Sequence, residues 1–338
     1  KTFAYDTYGR PSATTLPNGR GSVTYTYNGL TTKVTNPESW KETTIDGAGF
    51  VKSAKDPGGQ ITYDYYSNGL VKDIKFGQNT IHHVYDQQGN IIQTTDPDAG
   101  TTSAVYDAFG QITSSTTANN HTYTYAYDKL GRITTRTLQS GGETTQWQYD
   151  PSGNIGAINQ ILLNSKVVES ATYDGYGRTS THTEKIYDGG ITKTYTNSYA
   201  YNGNGQVSRI TYPTGYYVNH TYNGDGLVTE IRDKNNKLIW NQAVTNDMGQ
   251  FTSYAYGNGA VVTKTYDSWY QPDIISAKVG SRVLSSWDFD INVKGNLTRR
   301  KDILHGNQIE DFGFDAMNRL TTSSKGSDVT YTGDNTGN

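Results

Sequence analysis

The sequence predicts an all-β fold, tandem β-hairpin repeats forming a long antiparallel sheet that spirals into a hollow shell or barrel-like solenoid. Three observations predict it. A six-residue frame, clearest as Tyr-Asp-x-x-Gly-Arg, returns about every 21 residues along the 338-residue chain. Turn-forming clusters fall midway between the frames. The segments between them alternate with period two, and none carries a convincing helical pattern.

The frame is clearest at Tyr5-Asp6-Thr7-Tyr8-Gly9-Arg10, Tyr127-Asp128-Lys129-Leu130-Gly131-Arg132 and Tyr173-Asp174-Gly175-Tyr176-Gly177-Arg178. Weaker copies begin at Ile45, Tyr65, Tyr85, Tyr106, Tyr149, Tyr201, Tyr222, Thr245, Tyr266, Phe289, Phe314 and Gly333, with a shortened copy at Tyr27. Together they make about sixteen repeats in a single array over residues 1–338.

Each frame specifies a turn. Asp accepts a hydrogen bond from the backbone two residues on, the next two residues suit a type I turn, and Gly supplies the positive φ of the bulge that restores strand twist. Such a three-residue turn sets Asp128 opposite Arg132 and Tyr127 opposite Ile133. The same register pairs Tyr85 with Ile91, Tyr106 with Ile112, Tyr149 with Ile155, Tyr201 with Val207, Tyr222 with Val228 and Phe314 with Leu320. These are the aromatic and branched pairs that stabilise antiparallel sheets. The Asp–Arg pairs on the other face, such as Asp6 with Arg10 and Asp174 with Arg178, contribute little as exposed ion pairs and tune the turn.

Between the frames lie Pro17-Asn18-Gly19, Asp56-Pro57-Gly58-Gly59, Asp96-Pro97-Asp98-Ala99-Gly100, Ser140-Gly141-Gly142, Tyr212-Pro213-Thr214-Gly215 and Gly257-Asn258-Gly259. A turn roughly every ten residues makes a meander of about thirty strands. Segments such as Thr122-Tyr123-Thr124-Tyr125-Ala126-Tyr127 put Tyr on one face and Thr or Ala on the other. Accumulated twist and the hazard of open edges require so long a strip to roll and lay turns of itself side by side.

Roughly 60 residues are Leu, Ile, Val or Phe, a fraction at which disorder is usually suspected. A net charge of only −3 and 28 Tyr argue for an ordered sheet with aromatic surface as its source of burial. The absence of Cys excludes disulfides. No apolar run has the length of a membrane span, and the chain opening in mid-pattern at Lys1 reads as a fragment of a larger protein.

Two frames deviate. Tyr270 stands where Gly belongs and is followed by Gln271-Pro272, which predicts a rearranged turn at 266–272. The copy at Phe289-Asp290 has two extra residues before Gly295-Asn296 and predicts a longer loop. Asn318, also in the Gly position, tolerates the left-handed conformation.

The search for chemistry gives no catalytic, cofactor or metal site. His82, His83, His121, His182, His220 and His305 are scattered, and the adjacent His82 and His83 point to opposite faces of a strand. Asp288, Asp290 and Asn292 alternate on one strand face as oxygen ligands of a calcium ion would, but Gly295 comes too late for an EF-hand loop. Gly224-Asp225-Gly226 lacks the helix of a phosphate site, and no Gly-x-Ser-x-Gly elbow is present. Dispersed basic residues argue against nucleic-acid binding. Cross-strand packing accounts for the aromatic content; the competing reading is that Trp40, Trp240 and Trp269 are exposed and stack on sugars.

The recurring frame and its apolar partner six positions after the Tyr resemble the YD-repeat, or Rhs-repeat, family of bacterial surface and toxin proteins, along the whole chain. Its relatives include toxin-complex subunits and the teneurins. The resemblance implies a spiralling strip that encloses a polypeptide cargo, commonly a C-terminal toxin domain, in a secreted or cell-surface bacterial protein. Secretion machinery is a further implied partner, and a glycan-binding or protein-binding adhesin is the alternative. The family's aspartate-dependent self-cleavage region is not recognisable here, and Asp150-Pro151 lies inside an ordinary repeat frame.

Overall fold

A computed structural model describes residues 1–16, 21–37, 39–292, 294–316, 318–326 and 328–331. Among them are 31 strands and no helix, hence no helix long and apolar enough to cross a membrane. The chain forms two compact units. One comprises Lys1–Thr101, Thr263–Ala277 and Arg282–Asn338; the other comprises Thr102–Val262 and Lys278–Ser281.

Within each unit, strands successive in sequence pair antiparallel, as in Gly59–Tyr65 with Val71–Phe76 and Thr122–Tyr127 with Ile133–Leu138. The turn chemistry sets the register. Tyr127 lies opposite Ile133, Tyr85 opposite Ile91, Tyr106 opposite Ile112, Tyr201 opposite Val207, Tyr222 opposite Val228 and Phe314 opposite Leu320. In each of these pairs the ladder shifts by one residue beside the aromatic, the mark of the bulge that restores twist. At Tyr27 the shortened frame closes with Asn28 opposite Thr31.

Three expectations are corrected. Tyr149 pairs with Ile158, not Ile155, whose side chain is 91% exposed. The loop is widened because Asp150 bonds through its N–H to the Ala157 carbonyl, and a second left-handed glycine, Gly156, donates its N–H to the Asp150 carboxylate at 2.6 Å. Asp150-Pro151 therefore does not sit in an ordinary frame.

At Tyr270 the turn is not rearranged. The residue adopts φ 60° and its N–H bonds the Asp267 carbonyl at 3.1 Å, as Gly131 bonds Asp128. The Asp267 carboxylate, accepting from the N–H groups of Trp269 and Gln271, holds the turn against the roughly 1–2 kcal/mol that a side chain costs in this conformation.

The loop after Phe289 is not longer than its neighbours. Its frame begins at Ile291, which pairs with Leu297, and Asn292 takes the Asp position, its N–H 2.9 Å from the Asn296 carbonyl. The two residues that look inserted are the end of the strand Arg282–Ile291. The Gly333 frame and Pro17-Asn18-Gly19 lie outside the described residues.

Burial is shallow. Leu162, Val218, Ala260 and Val262 are the buried apolar residues among those described. Most strand positions are half-buried, so stability is spread along rows of cross-strand contacts.

In the first unit the strip returns on itself. A cavity of about 490 Å³ is lined by Asp56, Gly59 and Phe76 on one side and by Ala316 and Asn318 on the other. From Phe76 to Ala316 is 240 positions (316 − 76). A frame turn thus faces an opposite-end turn far away in sequence.

Candidate functional site: the row of frame turns

Each frame turn is closed by its own residues. In the Asp128 turn the carboxylate accepts from the N–H groups of Leu130 at 2.8 Å and Arg132 at 3.0 Å, while Arg132 Nε donates to its second oxygen at 2.7 Å. Asp6 with Arg10 and Asp174 with Arg178 repeat the pattern. The Arg132 backbone bond, followed by its side-chain bond, holds the Asp128 carboxyl below the usual range against a desolvation effect. For Asp174 the Arg178 side chain is the leading cause. At Asp6 burial is the largest single influence and raises the value, but the bonds from Arg10 and Tyr8 together outweigh it.

A second set of contacts joins one turn to the next. The Tyr that opens a frame donates its hydroxyl to the carbonyl of the residue opposite the first position of the preceding frame. Tyr27 reaches Pro11, Tyr65 Val51, Tyr85 Val71, Tyr127 Ile112, Tyr149 Ile133, Tyr173 Ile158, Tyr201 Thr179 and Tyr222 Val207, all at 2.7–2.9 Å. Burial pushes the Tyr65, Tyr85, Tyr127 and Tyr201 phenols up, as expected of hydroxyls withdrawn from water.

The Arg that ends a frame covers the next Tyr. Arg10 lies 4.0 Å from the Tyr27 ring centroid, Arg132 4.4 Å from Tyr149 and Arg178 4.3 Å from Tyr201. Where another residue ends the frame it still reaches forward. Phe50 rests on Gly69, Gln111 on Gly131 and Gln206 on Gly226, where a Cβ would meet the overlying side chain at 2.7–3.0 Å. Gln271 donates to the Asn292 carbonyl at 3.2 Å and Asn296 to the Asn318 side chain at 3.0 Å.

Arg132 is the most heavily used of these residues. Besides holding Asp128 it grips the next turn's Asp150 with two parallel bonds of 2.9 and 2.7 Å. The Arg132 side chain, and after it the Gly156 N–H, depress the Asp150 carboxyl strongly. Bonds to Asp150 first, then Asp128, raise the Arg132 guanidinium.

The sequence reading missed both inter-turn contacts. A signal for the first was present: the opening aromatic is usually Tyr, not Phe, and a half-buried hydroxyl needs an acceptor. The Tyr, Asp, Gly and Arg of each of the three clearest frames, twelve residues in all, serve their own turn.

The remaining candidates fall into structural roles. His82 Nδ1 lies 2.6 Å from Asp73 and His83 Nδ1 3.0 Å from Thr94. Asn292 uses its side-chain oxygen to hold the Lys294 and Asn296 N–H groups, and Asp290 faces Arg299 at 3.9 Å. Trp40, Trp240 and Trp269 are half-buried, not exposed, with Trp240 edge-on to Phe251 at 5.6 Å. The most exposed rings are instead at turn tips, Phe109 at 90% and Tyr176 at 86%.

The family model described as RHS Repeat matches residues 106–141, the two turns headed by Tyr106 and Tyr127 with their strands. The chain thus carries an Rhs repeat at residues 106–141. No curated protein matches the sequence.

Among solved structures this chain is similar to TcdB2-TccC3-TEV, with 14% identity, a TM-score of 0.79 and coverage of 95% of this chain and 19% of that one. The Photorhabdus luminescens Tc holotoxin pore with a TccC3 mutation gives 14% identity and a TM-score of 0.67 over 100% of this chain and 21% of that one. TcdB2-TccC3 without its hypervariable C-terminal region gives 14% and 0.65, over 96% and 19%. At these identities the likeness is one of fold. The chain spans about a fifth of the length of the structures it matches.

Proposed function

We propose that this chain is a non-catalytic wall segment of an exported Rhs-repeat shell that encloses a polypeptide cargo, such as a toxin domain, on its way through secretion machinery. The observation that carries the reading is the continuity of the turn row. Within each unit, Tyr hydroxyls and forward-reaching Arg, Gln and Asn side chains tie successive hairpins together at repeated boundaries. Such contacts suit a wall, whose task is to stay closed along its length, better than they suit a pocket. The fold shared with TcdB2-TccC3 supports the same reading. Single Tyr, Asp, Gly and Arg residues of the frames are then structural, with Tyr127, Asp128, Gly131 and Arg132 as the best-formed set.

The test is protease protection in the complete protein that contains this chain. A polypeptide carried within it resists trypsin until the shell is opened by denaturant. A carried polypeptide digested at the rate of the free domain, with the strip intact, removes the reading.

The alternative is an adhesin that binds glycans or a partner protein through the repeat surface. The exposed turn tips Phe109, Leu130 and Tyr176 favour it. Glycan-array binding lost on their replacement by Ser supports this alternative.

A further inference from the structure

The hairpin of Thr179–Asp188 and Ile191–Tyr201 has the longest pair of strands in the second unit, 10 and 11 residues. It closes through Gly189-Gly190, both at positive φ, with Asp188 opposite Ile191. On its outer side the second strand meets its neighbour Val207–Thr211 only from Ser198, which lies opposite Thr211. Ile191–Asn197 therefore runs on with a partner on one side alone among the described residues. Residues 191–195 are exposed.

The ladder decides which main-chain groups are left open. The pair flanking a two-residue turn exchanges both of its bonds inward, and the direction alternates from there. With Ile191 bonded inward, Thr192, Thr194 and Thr196 turn their N–H and C=O groups outward, on the side where Ser198 and Ala200 meet Val207–Thr211. Three donors and three acceptors thus stand in strand spacing along an open edge. Proteins usually blunt such edges with proline, bulges or several charges. This one carries a single charge, Lys193, and a regular register.

The surroundings select what fits. Ile191, Lys193 and Tyr195 share one face, with Ile191 64% exposed. The Tyr212–Gly215 turn caps the slot where Val207–Thr211 ends, and the Tyr212 and Tyr216 rings stack there at 6.3 Å. Opposite Lys193 on the paired side is Ile186, and no ion pair of Lys193 exists among the described residues. Its charge is free to meet a carboxylate.

We propose that the outer edge Ile191–Asn197 is a strand-addition site for an extended polypeptide of about five to seven residues, with a carboxylate beside Lys193 and apolar side chains along Ile191 and Tyr195. Main-chain bonds to Thr192, Thr194 and Thr196 hold the backbone; Lys193 and the tyrosines select the side chains. The site stands on this hairpin alone and does not depend on the shell reading.

The test uses the whole chain and a fluorescein-labelled octapeptide of alternating valine and threonine with one central glutamate, followed by fluorescence anisotropy. Saturable binding is expected, weakened at least tenfold by Thr194→Pro. The Thr194 N–H points away from the paired strand, so proline is tolerated there and the melting temperature holds. Lys193→Glu reverses the preference in favour of a peptide with central lysine. If Thr194→Pro disturbs folding, the same octapeptide N-methylated at alternate residues decides on the unaltered protein, and it is expected not to bind. Binding unaffected by N-methylation or by Thr194→Pro in a folded protein overturns the proposal. So does a sedimentation shift showing that a second copy of the chain occupies the edge and peptide does not displace it.

Discussion

The Tyr127 hydroxyl donates to the Ile112 carbonyl at 2.9 Å, across the boundary between two consecutive hairpins. Tyr127 also faces Ile133 in its own hairpin, so one side chain serves two repeats. The hydroxyl explains why Tyr recurs where Phe would fill the same space.

Replacing Tyr127 by Phe keeps the packing and removes the bond. A loss of about 0.5–1.5 kcal/mol is expected. Tyr149→Phe acts in the same way at the next boundary, and the double variant is expected to show the sum within error. Urea unfolding checks the energies. Faster amide exchange confined to the strands around residues 112–133 checks the location.

Arg132 links Asp128, Asp150 and Tyr149. Arg132→Lys keeps the charge but loses the forked geometry and the flat contact with the ring. The expected result is a lower melting temperature whose difference from the parent shrinks in high salt. A double-mutant cycle with Asp150→Asn gives a non-zero coupling if the pair acts as one unit.

Gly257 is constrained by space. Its N–H bonds the Ile239 carbonyl at 2.8 Å, and a Cβ there falls 1.7 Å from the Leu238 carbonyl oxygen. Gly257→Ala must push two backbones apart. A loss of about 2–4 kcal/mol or failure to fold is expected, whereas Gly215→Ala, with open space around it, costs only the strain of its positive φ, about 1–2 kcal/mol. Thermal melting of both variants makes the comparison.

Acid acts in two stages. Burial lowers the His220 value from 6.5, and its Nδ1 has no hydrogen-bond partner. The folded ring stays neutral while the unfolded ring takes a proton, so stability falls as pH drops below 6.5 and levels off once the folded ring also protonates. His220→Gln flattens this part of the curve. The Asp128 and Asp174 carboxyls are depressed, chiefly by bonds from Arg132 and Arg178, so their contribution is full above 3.8 and lost as pH falls further. Urea midpoints at pH 7.5, 5.5 and 3 separate the stages.

Local chemistry was legible in the residues. Asp at the second frame position and Gly at the fifth set the turn and thereby the register, because both act through bonds within five residues. The same logic misread three turns. At Asp150 the carboxylate is claimed by Arg132 of another turn; at Tyr270 neighbouring bonds hold a side chain in a conformation it disfavours alone; at Ile291 an aliphatic residue stands where an aromatic was sought. Only the first is settled by contacts outside the six residues; the turns at Tyr270 and Ile291 are held by bonds within them.

By itself the sequence determined that the chain is a meander of hairpins, where most turns fall and which residues face each other across them. These follow from backbone conformational preference and period-two alternation, which are short-range. Only the tertiary structure decided which hydroxyl rivets which carbonyl, that Arg132 joins two turns, that the tryptophans are covered while turn-tip rings are bare, and that Ile191–Asn197 keeps an open edge. Those outcomes depend on how neighbouring hairpins are offset and how far each strand runs past the next, and no property of a single repeat encodes them.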